Sequence, residues 1–238
     1  MKNKLALITG SAKRLGRDLA LSLANDGYDI IIHYLESEKE AEQLKGDIEK
    51  LGRRAFTYSA NMKFKNEILK MKDWFEEQFE SLDLLINNVG NYPIKKISEL
   101  SLEEWDDTIQ TNLNGAFYMI HSFLPFIKNC EGNIINIGYA GSESIRANTL
   151  NTPYAISKTG LLILTKSLAK DLGNQNIRVN MVSPGQLEFS IDLPKNLKKV
   201  IPLQRAGTST DVYQAINYIL NSSYITGINI DVAGGHLL

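Results

Sequence analysis

Seven short apolar runs alternate with longer stretches of helical period, and this alternation most constrains what the chain can fold into. The runs are LALIT (5–9), DIIIH (29–33), RAFTYS (54–59), LDLLI (82–86), NIINI (133–137), IRVNMV (177–182) and INIDV (228–232). Between them lie amphipathic stretches near 14–25, 38–51, 64–79, 102–128, 154–172 and 210–220, long enough to cross one face of a sheet. Such β-α-β alternation predicts an α/β fold with a parallel sheet. DIIIH and LDLLI carry the unbroken apolar character of strands covered on both faces. Right-handed crossovers then give a doubly wound, seven-stranded parallel sheet with helices on both faces.

The 238 residues suit one large domain, 1–238, with a single core. Ligands of such sheets bind beyond the carboxyl ends of the strands. Functional residues are therefore expected in the loops after 9, 34, 60, 86, 138 and 183. The irregular stretch 184–202 holds three of the six prolines and reads as a short substrate loop.

Charge excludes several partners. Lysine plus arginine, 26, nearly balances aspartate plus glutamate, 27, and neither sign runs in blocks. No footprint for nucleic acid or a membrane surface results. Cys130 is the only cysteine, which rules out an internal disulfide and fits a reducing compartment. MKNKLALITG meets a turn glycine rather than a cleavage site, and GLLILTKSLAK is broken by charges, so a soluble cytoplasmic protein is expected. No residue is assigned to a metal.

The first strand leads into TGSAKRLG and then a helix. Glycines at 10 and 16 let a backbone approach a pyrophosphate while a helix N-terminus presents free N–H groups. Arg14 stands within that turn, where a guanidinium can fork onto phosphate oxygens. At the end of the second strand, HYLES offers Tyr34 where a ribose-binding carboxylate is common. Lys13, Arg14, His33 and Ser37 can together hold a 2′-phosphate, which points to NADPH. Glu36 repels a phosphate and keeps NADH open.

YAISK, 154–158, puts Tyr154 and Lys158 one helical turn apart on one face. A phenol has an ordinary pKa of about 10, and a nearby cation lowers it.

Together these residues resemble the short-chain dehydrogenase/reductase family, of Rossmann type. The resemblance runs from Lys4 to Gly235 and includes NNVG at 87–90, Asn112, the Tyr154–Lys158 pair, VSPG at 182–185, IPLQRAGTSTDV at 201–212 and YITGINIDVAGG at 224–235. It implies a nicotinamide cofactor held by Gly10, Lys13, Arg14, Leu15, Gly16, His33, Tyr34, Ser37, Asn61, Asn88, Gly90, Pro184 and Gly185. Tyr154 would deliver a proton as hydride arrives, Lys158 would bind ribose hydroxyls and tune the phenol, and Asn112 would complete a relay to water. The family's usual serine after the fifth strand is replaced by Tyr139. Either its phenol donates instead, or Ser142 or Ser144 folds back from a loop that looks slightly long.

Arg14 in the turn, Tyr92 as a stacking platform and the AGGHLL ending are similar to pteridine reductases, so a pterin-like heterocycle is the leading substrate. DVAGG and IPLQRAGT are shared with 3-oxoacyl-[acyl-carrier-protein] reductases, so a 3-oxoacyl thioester or small ketone is the alternative. LPKNLKK at 193–199 would then meet an acidic acyl carrier protein. A non-catalytic nucleotide-binding sensor is a further alternative. The family analogy also implies a homotetramer or dimer, with helices near 102–128 and 154–172 at one interface.

Overall fold

The structure is a computed structural model that describes residues 4–237. The first three residues of the stretch read against a secretion signal lie outside them, as does residue 238. Seven parallel strands form one sheet in the order β3-β2-β1-β4-β5-β6-β7. They are β1 (Lys4–Ile8), β2 (Tyr28–Tyr34), β3 (Ala55–Ser59), β4 (Leu84–Asn87), β5 (Asn133–Ile137), β6 (Arg178–Pro184) and β7 (Asn229–Val232). The helices are α1 (Arg14–Asn25), α2 (Glu38–Lys50), α3 (Lys65–Glu76), α4 (Leu102–Ile109), α5 (Gly115–Lys128), α6 (Thr152–Leu172), α7 (Leu197–Val200) and α8 (Ser209–Leu220). The doubly wound α/β fold expected from the alternation of runs is the one observed.

Strand residues alternate between two cores because successive side chains point to opposite faces. Ala6, Ile8, Ile30 and Ile32 pack with Leu19 and Leu23 of α1, Leu44 of α2 and Ile216 of α8. Leu5, Leu7 and Ile31 pack with Met71 and Phe75 of α3, Phe123 of α5 and Leu172 of α6. β1, β2, β4 and β5 are buried along most of their length, which explains the apolar character of their sequence runs, whereas β3 and β7 are only partly covered.

The expected single helix over 102–128 is interrupted. Between α4 and α5, residues Gln110–Asn114 form a π-helical turn, a local widening that centres on the buried Asn112. α6 begins with Pro153 in its first turn, where its missing N–H costs nothing. Strand order reverses between β1 and β4, so the crevice opens beyond Ile8 and Asn87.

Candidate active site

The turn after β1 is too tight for a side chain at position 16. A Cβ there would stand 2.3 Å from the Gly10 carbonyl oxygen and 2.8 Å from the Ser11 Cα. Gly10 itself has φ +64°, a left-handed conformation that glycine adopts without strain. Asn88, just past β4, pins this turn. Its amide donates to the carbonyls of Thr9 (2.9 Å) and Gly10 (3.2 Å), while its own N–H donates to the Thr9 hydroxyl. No side chain caps α1, so its first N–H groups are open to a phosphate. Arg14 is exposed with φ +50°, a conformation that costs a non-glycine residue roughly 1–3 kcal/mol.

A cavity of about 210 Å³ follows, lined by Gly10, Ala12, Lys13, Tyr34, Leu35, Glu36 and Ser37. Lys13, Tyr34 and Ser37 gather there as expected, together with Glu36, although the Lys13 ammonium pairs with Glu40 at 2.8 Å. His33 does not join them. The Gly10 N–H donates to its Nδ1 (2.9 Å), which leaves Nε2 to donate to the Ala60 carbonyl (2.8 Å). The ring is buried, and burial pushes its pKa down to about 4. His33 is therefore a neutral brace under the turn, not a phosphate ligand. Leu15 is likewise a core residue by its side chain, and only its backbone faces the turn's work. Asn61 accepts the Lys63 N–H at 3.0 Å, the turn-forming role of an asparagine.

A second, larger cleft of about 380 Å³ lies beyond β5 and β6. Its lining includes Arg14, Tyr92, Tyr139, Tyr154, Pro184 and Gly185. Three phenols meet in it. The Tyr154 ring touches Tyr92 edge to face (centroids 4.6 Å, 87°) and Tyr139 at 5.6 Å. Neither alternative serine shares this wall: Ser142 is buried and Ser144 lies exposed on the loop. Tyr139, unlike either serine, lines the cleft.

Lys158 is buried beneath, with Nζ donating to the Ile137 carbonyl at 2.7 Å and lying 5.9 Å from the Tyr154 ring centroid. Burial pushes its pKa down to about 8. The Tyr154 phenol is pushed up, first by burial and then by Tyr92, Tyr139 and the Asp192 carboxylate. The expected lowering by lysine does not emerge from the protein's own groups, because the ammonium is itself desolvated and committed to a carbonyl. The tyrosine accordingly holds its proton, the form a donor requires.

Gly90 lets the lysine pass, since a Cβ there would be 3.4 Å from Nζ. Asn112 fixes the neighbouring loop by a reciprocal pair: the Asn91 N–H donates to its Oδ1 (2.6 Å) and its amide donates to the Asn91 carbonyl (2.9 Å). The same amide reaches Ser157 on α6 at 3.1 Å.

Several contributors carry no signal of their own in the sequence. Asn87, Asn136 and Thr165 form a buried chain of hydrogen bonds (2.8 and 2.9 Å) that fixes α6 against the sheet. Asp107 joins Lys63 (2.6 Å) to Asn91 (2.7 Å). Asp192 and Asn151 hold the Tyr92 hydroxyl from two loops, at 2.7 and 2.5 Å. Asparagine spaced along strands was the available hint, but only the sheet order shows which pairs meet.

The family model described as enoyl-(acyl carrier protein) reductase matches residues 10–236. The chain is 34% identical to the 3-oxoacyl-[acyl-carrier-protein] reductase FabG of Staphylococcus epidermidis, over 98% of each. The FabG of Thermotoga maritima is 32% identical over 99% of this chain and 98% of its own. The chain is a short-chain dehydrogenase/reductase. As such it is a nicotinamide-dependent oxidoreductase, and its fold is shared by solved members. A blue fluorescent protein from a metagenomic library, solved in complex with NADPH, superposes with a TM-score of 0.90 at 28% identity, covering 99% of this chain and 98% of that one. The acetoin dehydrogenase YohF of Salmonella typhimurium gives 0.88 at 25% identity, covering 99% and 96%. The dehydrogenase/reductase turn fits its cofactor on its own geometry: a glycine where no Cβ can stand, an uncapped helix and a cavity at the end of β2. Among the described residues, no helix is long and apolar enough to cross a membrane.

Proposed function

We propose that this enzyme reduces the ketone of a 3-oxoacyl thioester or a related small ketone to the alcohol, with NADPH as the reductant. The observation that carries this reading is the meeting of Tyr154 and Tyr139 in one cleft directly above Lys158. NADPH, when bound, supplies the hydride. Tyr154 gives its proton to the carbonyl oxygen, so that carbon gains hydride, oxygen gains a proton, and the alcohol leaves neutral. A protonated phenol fits that step, and Tyr139 supplies a second hydrogen bond to the same oxygen in place of the usual serine. Asn112 keeps the 90–91 loop and α6 in register beneath it.

Lys13, Ser37 and the strained Arg14 support NADPH over NADH, with Glu36 opposing. Exposed Lys195, Lys198 and Lys199 on and beside α7 offer an acidic carrier protein a docking edge. A homotetramer or dimer through α5 and α6 suits the exposure of Phe117, Ile156 and Ile163 there.

The pterin reading keeps one observation in its favour, the presence of Arg14 in the cleft wall. Against it, Tyr92 is built into the wall by Asp192, Asn151 and an edge-on contact with Tyr154, where a stacking platform needs a free face. The relatives also favour the ketone.

The test follows NADPH absorbance against an acetoacetyl thioester, a simple diketone and dihydrobiopterin. The first two are expected to turn over faster than the third; the reverse order would return the pterin to first place. Tyr154→Phe is expected to lower turnover at least about a hundredfold, the scale of losing a positioned proton donor, with NADPH affinity little changed.

A further inference from the structure

We infer that the cleft carries an anion subsite built on Arg146, and that the substrate is a short oxo acid bearing its own carboxylate. This rests on the ketone-reductase reading and narrows it. Arg146 belongs to the loop between β5 and α6 and lines the cleft with Tyr139, Tyr154 and His236. Its guanidinium lies against Gly141, where an added Cβ would stand 3.0 Å from Nη2. Gly141 has φ +90°, so glycine at this place serves both the left-handed backbone and the room for the arginine.

Charge at the cleft is out of balance. Lys13, Lys63 and Lys95 on neighbouring elements are paired with Glu40, Asp107 and Glu104, and Lys158 is committed to the Ile137 carbonyl. Among the described residues, neither Arg146 nor Arg14 forms an ion pair. The carboxylate in the wall, Asp192, already accepts from the Tyr92 hydroxyl. Arg14 enters the same cleft from the cofactor turn, and Arg146 enters it from the loop after β5, beside Tyr139. Arg146 is an exposed side chain at the rim of the cleft, with Leu237 beside its Nη2 at Gly141. A planar guanidinium in such a setting takes a carboxylate by two parallel hydrogen bonds.

Spacing sets the size of the ligand. Gly141 is two residues past Tyr139, so their Cα atoms are at most about 7 Å apart, and the guanidinium seated against Gly141 lies on the Tyr139 side of the cleft. A ketone between Tyr139 and Tyr154 and a carboxylate on Arg146 are then the two ends of one small molecule. A long carrier arm would instead place its charge outside the cleft.

The experiment compares kcat/KM for acetoacetate and its neutral methyl ester in the native enzyme, Arg146→Gln and Arg146→Lys. The acetoacetate-to-ester ratio is expected to fall at least about tenfold in Arg146→Gln, through KM, the loss of a charge-assisted pair. Arg146→Lys should recover part of it. An unchanged ratio overturns the subsite. Should the native enzyme reduce neither ketone, the reductase reading fails separately, and binding decides the subsite. NADPH fluorescence in the enzyme–NADPH complex is then titrated with 3-hydroxybutyrate and with its amide. Tighter binding of the acid that disappears in Arg146→Gln sustains the inference; equal binding of acid and amide overturns it.

Discussion

The turn after β1 and the loop after β5 stand at the same edge of one sheet, yet they are held by opposite means. In the first, the polar groups bind one another: Asn88 holds two carbonyls, Thr9 accepts from two backbone N–H groups, and His33 spans Gly10 and Ala60. A single side chain added at position 16 would collide with backbone. The second turns outward, with residues 143–147 exposed and Ile145 almost wholly in solvent at 96%. Its connections run through Asn151 to Tyr92 and through Thr149 and Leu150 to the backbone of 95–97, with Glu143 paired to Lys166 on α6 and the Gly141 N–H donating to Asp231. The first end has no room to change, because its polar groups are committed to one another and a side chain at position 16 would meet backbone. The other is a surface on which a different substrate is accommodated by changing a few exposed residues, as loops on a fixed scaffold allow.

The sharpest way to break this contrast is at the rigid end. Gly16→Ala is expected to weaken NADPH binding about a hundredfold, equivalent to about 3 kcal/mol of overpacking against backbone that cannot yield. Fluorescence titration with NADPH measures it, and an affinity within a few-fold of the native enzyme would mean that the turn gives way like the loop. At the open end the effect is smaller and of another kind. Tyr139→Phe keeps the ring against Tyr154 but removes the hydroxyl, so kcat for ketone reduction should fall about tenfold with NADPH binding unchanged, the worth of one hydrogen bond to developing charge. An unaltered kcat would leave the loop with a binding role alone.

What could be read from the sequence divides along the same line. The strands were legible because burial on both faces demands unbroken apolar runs, and the nucleotide turn because glycines at 10 and 16 answer a steric need confined to a few consecutive residues. Tyr154 and Lys158 were legible because one helix carries both. His33 was misread: position at the strand end suggested a ligand, but the side chain alternation of β2 turns it inward to brace Gly10. Arg146, Asp192 and Asn151 went unread because Arg146 and Asn151 share the loop after β5 while Asp192 comes from the loop after β6, and they acquire meaning only when tertiary folding brings the two loops to one cleft. The π-turn at Asn112 was unreadable for a related reason, since the buried amide it carries bonds Asn91, 21 residues away in the chain.

His33 also supplies the smallest test of the contrast, through pH. Its ring is neutral because Nδ1 must accept from Gly10 while Nε2–H donates to Ala60, and burial lowers its pKa from 6.5 to about 4. Between those values the unfolded chain binds a proton that the folded chain refuses, so stability is lost as pH falls through the window and is flat above it. Going from about pH 7.5 to about pH 5.5 should therefore cost about 1 kcal/mol from this group alone. Urea midpoints at the two pH values measure the loss, and His33→Gln, which cannot titrate, isolates its share. If the variant loses as much as the native protein over that interval, the imidazole is not the brace. Because protonation would put a hydrogen on Nδ1 facing the Gly10 N–H, the same acidification should loosen NADPH binding before it alters the loop after β5, whose contacts contain no histidine in this bonded position.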